Sequence, residues 1–539
     1  MSGVIKRYAT SSAGMTGFVM YFTSTKWWFV SALLSGAVLL YLPICDTKGQ
    51  VLQPQRFEIP LGAHEKQFDI VPAEHSGLYL MRHLIVSREP QIHVARIDTG
   101  FTKIWEGFIP VQKNYIVTSK KAYGDKLYIL QRYKDYTKNN FILLAVDKHA
   151  ADYIRYDIRG FIPFSPSEFM VTESAVLIGG YYNRVPLVLY FSLATMKSKV
   201  LPGMFNESGE LTQVKTYEDG SFDVLISALN FRKQRTIFIK SYDPDGNLLR
   251  NFALEPETNK HLIFGRSLKT DNDVQIVAGV YGARSAEFSR GVFIASIDGS
   301  GLQAIRYYNF ADLENFFKYM KAKREKRVKS RIERRKIKGK KIRFNYRFLV
   351  HELVPFKDQY VLLGEAFYPK YIPLDRSYYG GFFMRSLQPG AIIQNGRIFD
   401  GYYYTHAIVM GFKPNGDLVW DNSFEINDVR TFTLEQFVKL ETQDDKIALL
   451  YLFDNKLRTK IIQNNDVVEG KTLDAIRTSF ADETVKKNED GTNKLEYWYD
   501  QYMFAYGVQE IENRKKNYKR RVFYINKIRH ADTTEPATF

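Results

Sequence analysis

Cysteine is almost missing: Cys45 stands alone in 539 residues. A lone thiol excludes a disulfide scaffold and any thiolate-built zinc or iron–sulfur site. Histidine is scarce too, and the nine present show no ligand spacing, so neither a metal nor another cofactor is expected. Nor is there a nucleophile elbow, a P-loop, a dinucleotide fingerprint, a paired-histidine zinc helix or a complete calcium loop. His351 and Glu352 adjoin without a second histidine. Asp243, Asp245 and Asn247 lack the closing glutamate and read as a plain turn. Acid is outnumbered, with 59 Asp+Glu against 76 Lys+Arg and a formal charge of +17. What is present is 45% apolar, 25% charged and 15% aromatic, the make-up of a large packed body.

Residues 1–45 carry Lys6, Arg7 and Lys26 and no acid, and an apolar run from Trp27 to Ile44 stops abruptly before Asp46. A basic flank, a hydrophobic core and a polar boundary predict a secretory signal; a start at Met15 or Met20 gives a compact one. Retention as a single-pass anchor is the alternative, since 18 apolar residues reach the lower limit for a bilayer. Leu42 suits a lipoprotein cysteine and Ile44 does not. Lipidation of Cys45 and its removal with the signal therefore both stay open.

Beyond residue 46 the chain repeats. An apolar strand, b, recurs at 91–97, 141–146, 187–191, 237–242, 292–297 and 407–412, with weaker copies near 460–462 and at 522–525. Several copies run into turn residues, Asp98 with Gly100, Asp243 with Gly246, Asp298 with Gly301, Asn415 with Gly416. Gly and Asn tolerate the positive φ of tight hairpins. From Asp98 the spacings are 49, 45, 51 and 55 residues, a period that points to propeller blades. A strand a, often with a small residue before an aromatic, precedes each b, as at 177–181 or 361–367. Strands c and d follow, as at 103–108 and 169–172. Eight a strands predict an all-β, eight-bladed propeller, with seven blades as the alternative. The chain begins with c and d (56–59 and 68–71) and finishes on b (522–525). Its ends are expected to complete one shared blade and leave no open edge; residues 531–539 are read as a tail.

In this strand pattern and aromatic richness the mature chain resembles uncharacterised exported β-propeller proteins of Gram-negative bacterial envelopes. The resemblance implies a periplasmic or outer-membrane setting. It carries over no catalytic or binding residue.

Two insertions interrupt the repeat. The first, 312–343, separates c from d and is predicted to be helical: Leu313, Phe316, Phe317 and Met320 share one face, Asp312 is a candidate N-cap, and the basic stretch runs past Gly339 to Lys341. Residues 318–347 hold 16 Lys+Arg and two Glu. Setting these and the export segment aside leaves the propeller neutral. The second, 369–403, joins a to b and is rich in Gly and aromatics, Tyr378 and Tyr379 among them; it reads as cover for a blade or as a recognition surface. Antiparallel strands put every a–b and c–d connection on one side of the ring. Both insertions belong there, together with Arg232, Arg235, Arg514, Lys515 and Lys516. Glu218, Asp219, Asp243, Asp444 and Asp445 belong to the other side. A basic face and an acidic face are expected.

That polarity argues for a non-catalytic binding platform of the cell envelope. Its candidate binding residues are Arg324, Lys326, Arg327, Arg331, Arg334, Arg335, Lys338, Lys340 and Lys341 on the helix, with Arg514, Lys515, Lys516, Tyr378 and Tyr379 beside them. They would meet an acidic protein or an anionic membrane or lipopolysaccharide surface; a solvated face without a partner is the plain alternative. Nucleic acid is disfavoured because export removes the chain from it. Two other readings stand alongside. One is a hydrolase or lyase acting on polysaccharide or peptide at the central channel, marked by carboxylates or histidines converging there. The other is a scaffold subunit of a larger envelope complex.

Overall fold

The computed structural model describes residues 51–530 except 136–137, 161, 205–207, 271–273, 284–287, 341, 343, 345, 374–392, 395–396, 428, 490 and 514. The expected export segment with Cys45, the tail, Lys341, Tyr378, Tyr379 and Arg514 lie outside the described residues.

Strands a and b are apolar at nearly every position because both faces of each sheet are covered. In Asn140–Asp147 every residue from Phe141 to Val146 is buried, and in Phe222–Leu229 every residue to Ala228. Alternation, the mark of a strand with one wet face, is absent. The outer strand Tyr153–Arg159 is largely exposed instead. Antiparallel pairing gives eight sheets, one per blade: blade 1 (69–110), blade 2 (115–159), blade 3 (165–200), blade 4 (209–253), blade 5 (261–309), blade 6 (347–425), blade 7 (439–475) and blade 8 (483–530 with 51–60). Eight apolar clusters fill the wedges between successive blades, the last joining blade 8 to blade 1. An eight-bladed β-propeller results.

Each sheet opens with the d strand. Blade 3 runs in the order Ser165–Val171, Ala175–Tyr182, Val185–Ser192, Ser198–Val200. From blade 1 to blade 6 the opening strand touches the opening strand of the next blade, so the d strands line the axis and c lies outermost. This corrects the expected closure. Arg56–Pro60 does pair with the last b strand, Tyr518–His530, from Arg56↔Asn526 to Pro60↔Val522. Asp69–Pro72, however, pairs with Leu78–Val86 and begins blade 1. The two ends share a blade through c alone, because d belongs with the a strand that follows it.

The small residues of strand a answer to the bulged inner strand. A methyl on Gly279 would lie 1.9 Å from the Phe264 carbonyl oxygen, and one on Gly180 2.2 Å from that of Ser165. Both glycines lie near register shifts, Leu262/Phe264 and Pro166/Glu168, where the inner strand crowds its neighbour. No helix among the described residues is long and apolar enough to cross a membrane.

Candidate functional site

The first insertion is held to the ring before its helix starts. Phe310, Leu313, Phe316 and Phe317 are buried in the wedge between blades 5 and 6. The Asp421 carboxylate of blade 6 accepts hydrogen bonds from the Glu314 and Asn315 amides at 3.0 and 2.8 Å. Asn315 Nδ2 donates to the Asp421 carbonyl, and Ser423 Oγ to the Asn315 carbonyl. Burial pushes the Asp421 carboxyl up, against the pull of the two amides. Tyr319 stacks on His406 with ring centroids 3.7 Å apart, and its hydroxyl meets that of Tyr346 at 3.0 Å.

These contacts overturn part of the expected helix. Residues 312–320 form turns, and the helix, α1, spans Ala322–Ile337. The apolar residues are buried as their spacing predicts, yet Asp421 takes the amides that a first helical turn would orient elsewhere. Asp312 is not an N-cap; it pairs with Lys336 at 2.5 Å. Nor does the helix pass Gly339. That residue adopts φ 59°, and the Lys340 amide donates back to the Arg335 carbonyl, which closes the C-terminus.

Along α1, Val328 and Ile332 face the apolar wedge, and Lys329 reaches the Glu314 carbonyl and Glu325. Around these contacts the helix exposes Arg324, Lys326, Arg327, Arg331, Arg334 and Arg335, and Lys338 and Lys340 are exposed just past its end. Like charges at i, i+4 oppose an isolated helix, so its order depends on the anchored side. Replacing Ile332 with Ser is expected to cost about 2 kcal/mol of helix docking. Faster trypsin cleavage within 323–338, with the ring intact, is the readout. Lys515 and Lys516 are exposed on the turn of blade 8 after Tyr502–Asn513, on the same face but a different blade. Of the expected binding residues, the structure brings together those of α1 alone.

The acidic face has a structural explanation. Asp98 accepts the Gly100 and Thr102 amides, Asp243 that of Asn247, and Asp298 those of Ser300 and Leu302. Each carboxylate caps its own hairpin turn, as expected for Asp243.

The channel holds a feature that sequence reasoning missed. Lys121 of blade 2, Glu168 of blade 3, Lys215 of blade 4, Arg266 of blade 5 and the Glu352 side chain of blade 6 form one electrostatic cluster. Blades 2 and 6 stand opposite in an eight-membered ring, so the cluster reaches across the axis. Lys215 Nζ lies 3.8 Å from Glu352 and 3.4 Å from the Ser267 carbonyl oxygen; Lys121 Nζ lies 3.0 Å from Met170 Sδ. Burial lowers the pKa of Lys121 and of Arg266 and raises that of Glu168. Three cations thus face two carboxylates: acids do converge in the channel, as the hydrolase or lyase reading asks, but each of them lies against a cation. His351 is engaged elsewhere, 2.8 Å from Glu365, whose carboxylate also takes the Phe437 and Val438 amides and ties blade 6 to blade 7. No group of metal-ligating side chains occurs among the described residues.

Compared with known proteins, the chain matches no family model and no curated protein. Solved structures do match. The polysaccharide lyase Uly1 aligns at 9% identity over 77% of this chain and 90% of its own, with a TM-score of 0.37. The β-propeller domain of the trilobed protease from Pyrococcus furiosus aligns at 10% identity over 79% and 100%, TM-score 0.35. A prolyl endopeptidase aligns at 9% identity over 83% and 53%, TM-score 0.36.

Proposed function

We propose that this chain is a non-catalytic β-propeller platform of the cell envelope whose basic face docks an anionic surface. The observation that carries the reading is α1: Val328 and Ile332 pin it between blades 5 and 6, and Arg324, Lys326, Arg327, Arg331, Arg334 and Arg335 along it, with Lys338 and Lys340 after it, are exposed to solvent. A charge array held by a rigid scaffold raises the local concentration of an anionic partner and orients it. On the far side the turn carboxylates Asp98, Asp243 and Asp298, held by backbone amides, keep a charge that repels the same partner.

The test replaces Arg324, Lys326, Arg327 and Arg331 together with Gln. All four are exposed, so the melting temperature should hold within a few degrees. Binding to immobilised poly-L-glutamate should fall at least about tenfold at low ionic strength, and wild-type binding should itself fade as salt shortens the screening length to about 8 Å at physiological strength. Equal retention of both proteins at low salt refutes the reading.

A further inference from the structure

Resting on the basic-face reading, we propose that the surface this face meets is an anionic lipid bilayer, entered by apolar side chains at the tips of separate loops. Phe231 is 88% exposed, Ile337 84% and Ile85 80%; Phe432, Phe480 and Ile372 are exposed as well. Phe231 and Ile85 belong to a–b hairpins of blades 4 and 1. Phe432 and Phe480 lie on the connections into blades 7 and 8, Ile372 on the long hairpin of blade 6, and Ile337 ends α1. Strand direction puts all of these connections on the side that carries α1.

The three phenyl rings share an arrangement. Arg232 lies 5.1 Å from the Phe231 centroid, Arg430 5.5 Å from Phe432, and Lys516 6.0 Å from Phe480. A bulky ring with a cation against it matches the boundary between acyl chains and phosphates, where the ring leaves water and the cation stays at the headgroups. A protein partner would need a matching pocket for each isolated tip. A fluid bilayer accepts each tip independently, and its phosphates supply the countercharge. On the opposite face the exposed Leu302 stands beside the Asp298 carboxylate, which an anionic leaflet repels.

The experiment uses the full chain with Cys45→Ser, which removes the only native thiol, and a nitroxide label at Phe231→Cys, Phe432→Cys, Phe480→Cys or, as control, Leu302→Cys. Depth is read by oxygen against nickel-complex accessibility on vesicles of equimolar phosphatidylglycerol and phosphatidylcholine. In parallel, binding to poly-L-glutamate is measured. The proposal expects labels 231, 432 and 480 to gain oxygen and lose nickel accessibility several-fold while 302 stays in water. All four labels in water, with poly-L-glutamate still bound, overturn the lipid assignment and leave an acidic protein as the partner. Loss of both signals overturns the basic-face reading too. Equal depth on phosphatidylcholine alone overturns the role of charge.

Discussion

Deleting residues 51–61 is expected to abolish cooperative folding of the ring. Arg56–Pro60 is the outer strand of blade 8, and Val51 and Leu61, 3% and 7% exposed, belong to the wedges on either side of that blade. Phe57 and Ile59 pack on the same cluster as Leu61. Four apolar side chains at roughly 2 kcal/mol each approach the whole 5–15 kcal/mol stability of a typical domain. The deletion also strips the pairing edge from Tyr518–His530 and removes Glu58, which pairs with Arg520, and Arg56, which donates to Asn526 Oδ1 and Gln509 Oε1 at 2.8 and 2.9 Å. Tyr518–His530 is then an unpaired edge, and a ring parting at this blade bares the apolar faces of blades 8 and 1. Urea unfolding should broaden into a non-two-state transition with aggregation, and a synthetic peptide of residues 51–61 added in excess should restore it by strand addition. A deleted chain that unfolds with wild-type midpoint and slope would show that closure contributes little.

That prediction rests on a part of the fold only half legible in the sequence. Strands a and b were readable because burial on both faces leaves an unmistakable apolar run, as from Phe141 to Val146. Turn chemistry at Asp98, Asp243 and Asp298 fixed where hairpins lie. Which strand sits innermost was not readable: inner and outer strands are both mixed in character, and only contact between d strands of successive blades assigns the axis. The same limit hid the channel cluster, since Lys121, Glu168, Lys215, Arg266 and Glu352 come from five blades and share no local spacing. At the insertion, the periodicity of Leu313, Phe316, Phe317 and Met320 reported burial correctly and conformation wrongly. A carboxylate more than a hundred residues away, Asp421, decides where those amides point. Gly339 carries a stop signal that the helix obeys, although the basic run continues beyond it. The phenyl–cation pairs joining Phe432 to Arg430 and Phe480 to Lys516 depend on loop geometry, which no repeat encodes.

Acidification should loosen the same junction that seats α1. His406 is fully buried, with Tyr319 stacked on it, Phe316, Tyr346 and Phe348 edge-on, and Thr405 Oγ1 2.9 Å from Nδ1. No carboxylate is among these neighbours, and burial lowers the ring's pKa from 6.5 to about 3. A histidine whose folded pKa is depressed stays neutral in the native state while the unfolded chain takes up a proton. Its contribution is therefore intact above pH 6.5, shrinks as pH falls, and is fully lost only below about 3. At pH 4.5 the loss amounts to about 3 kcal/mol. Other groups titrate in this range, so the comparison with His406→Phe isolates the effect: the variant keeps an aromatic ring against Tyr319 and has no proton to bind. Wild type should lose about 3 kcal/mol more than the variant between pH 7 and 4.5 by urea unfolding, whatever the variant's stability at neutral pH. Hydrogen exchange of the amides of 312–337, measured at the acid pH itself, should accelerate in wild type first. Parallel pH curves for the two proteins would mean that the imidazole is reached by water or paired with acid, contrary to the packing of Tyr319 over it.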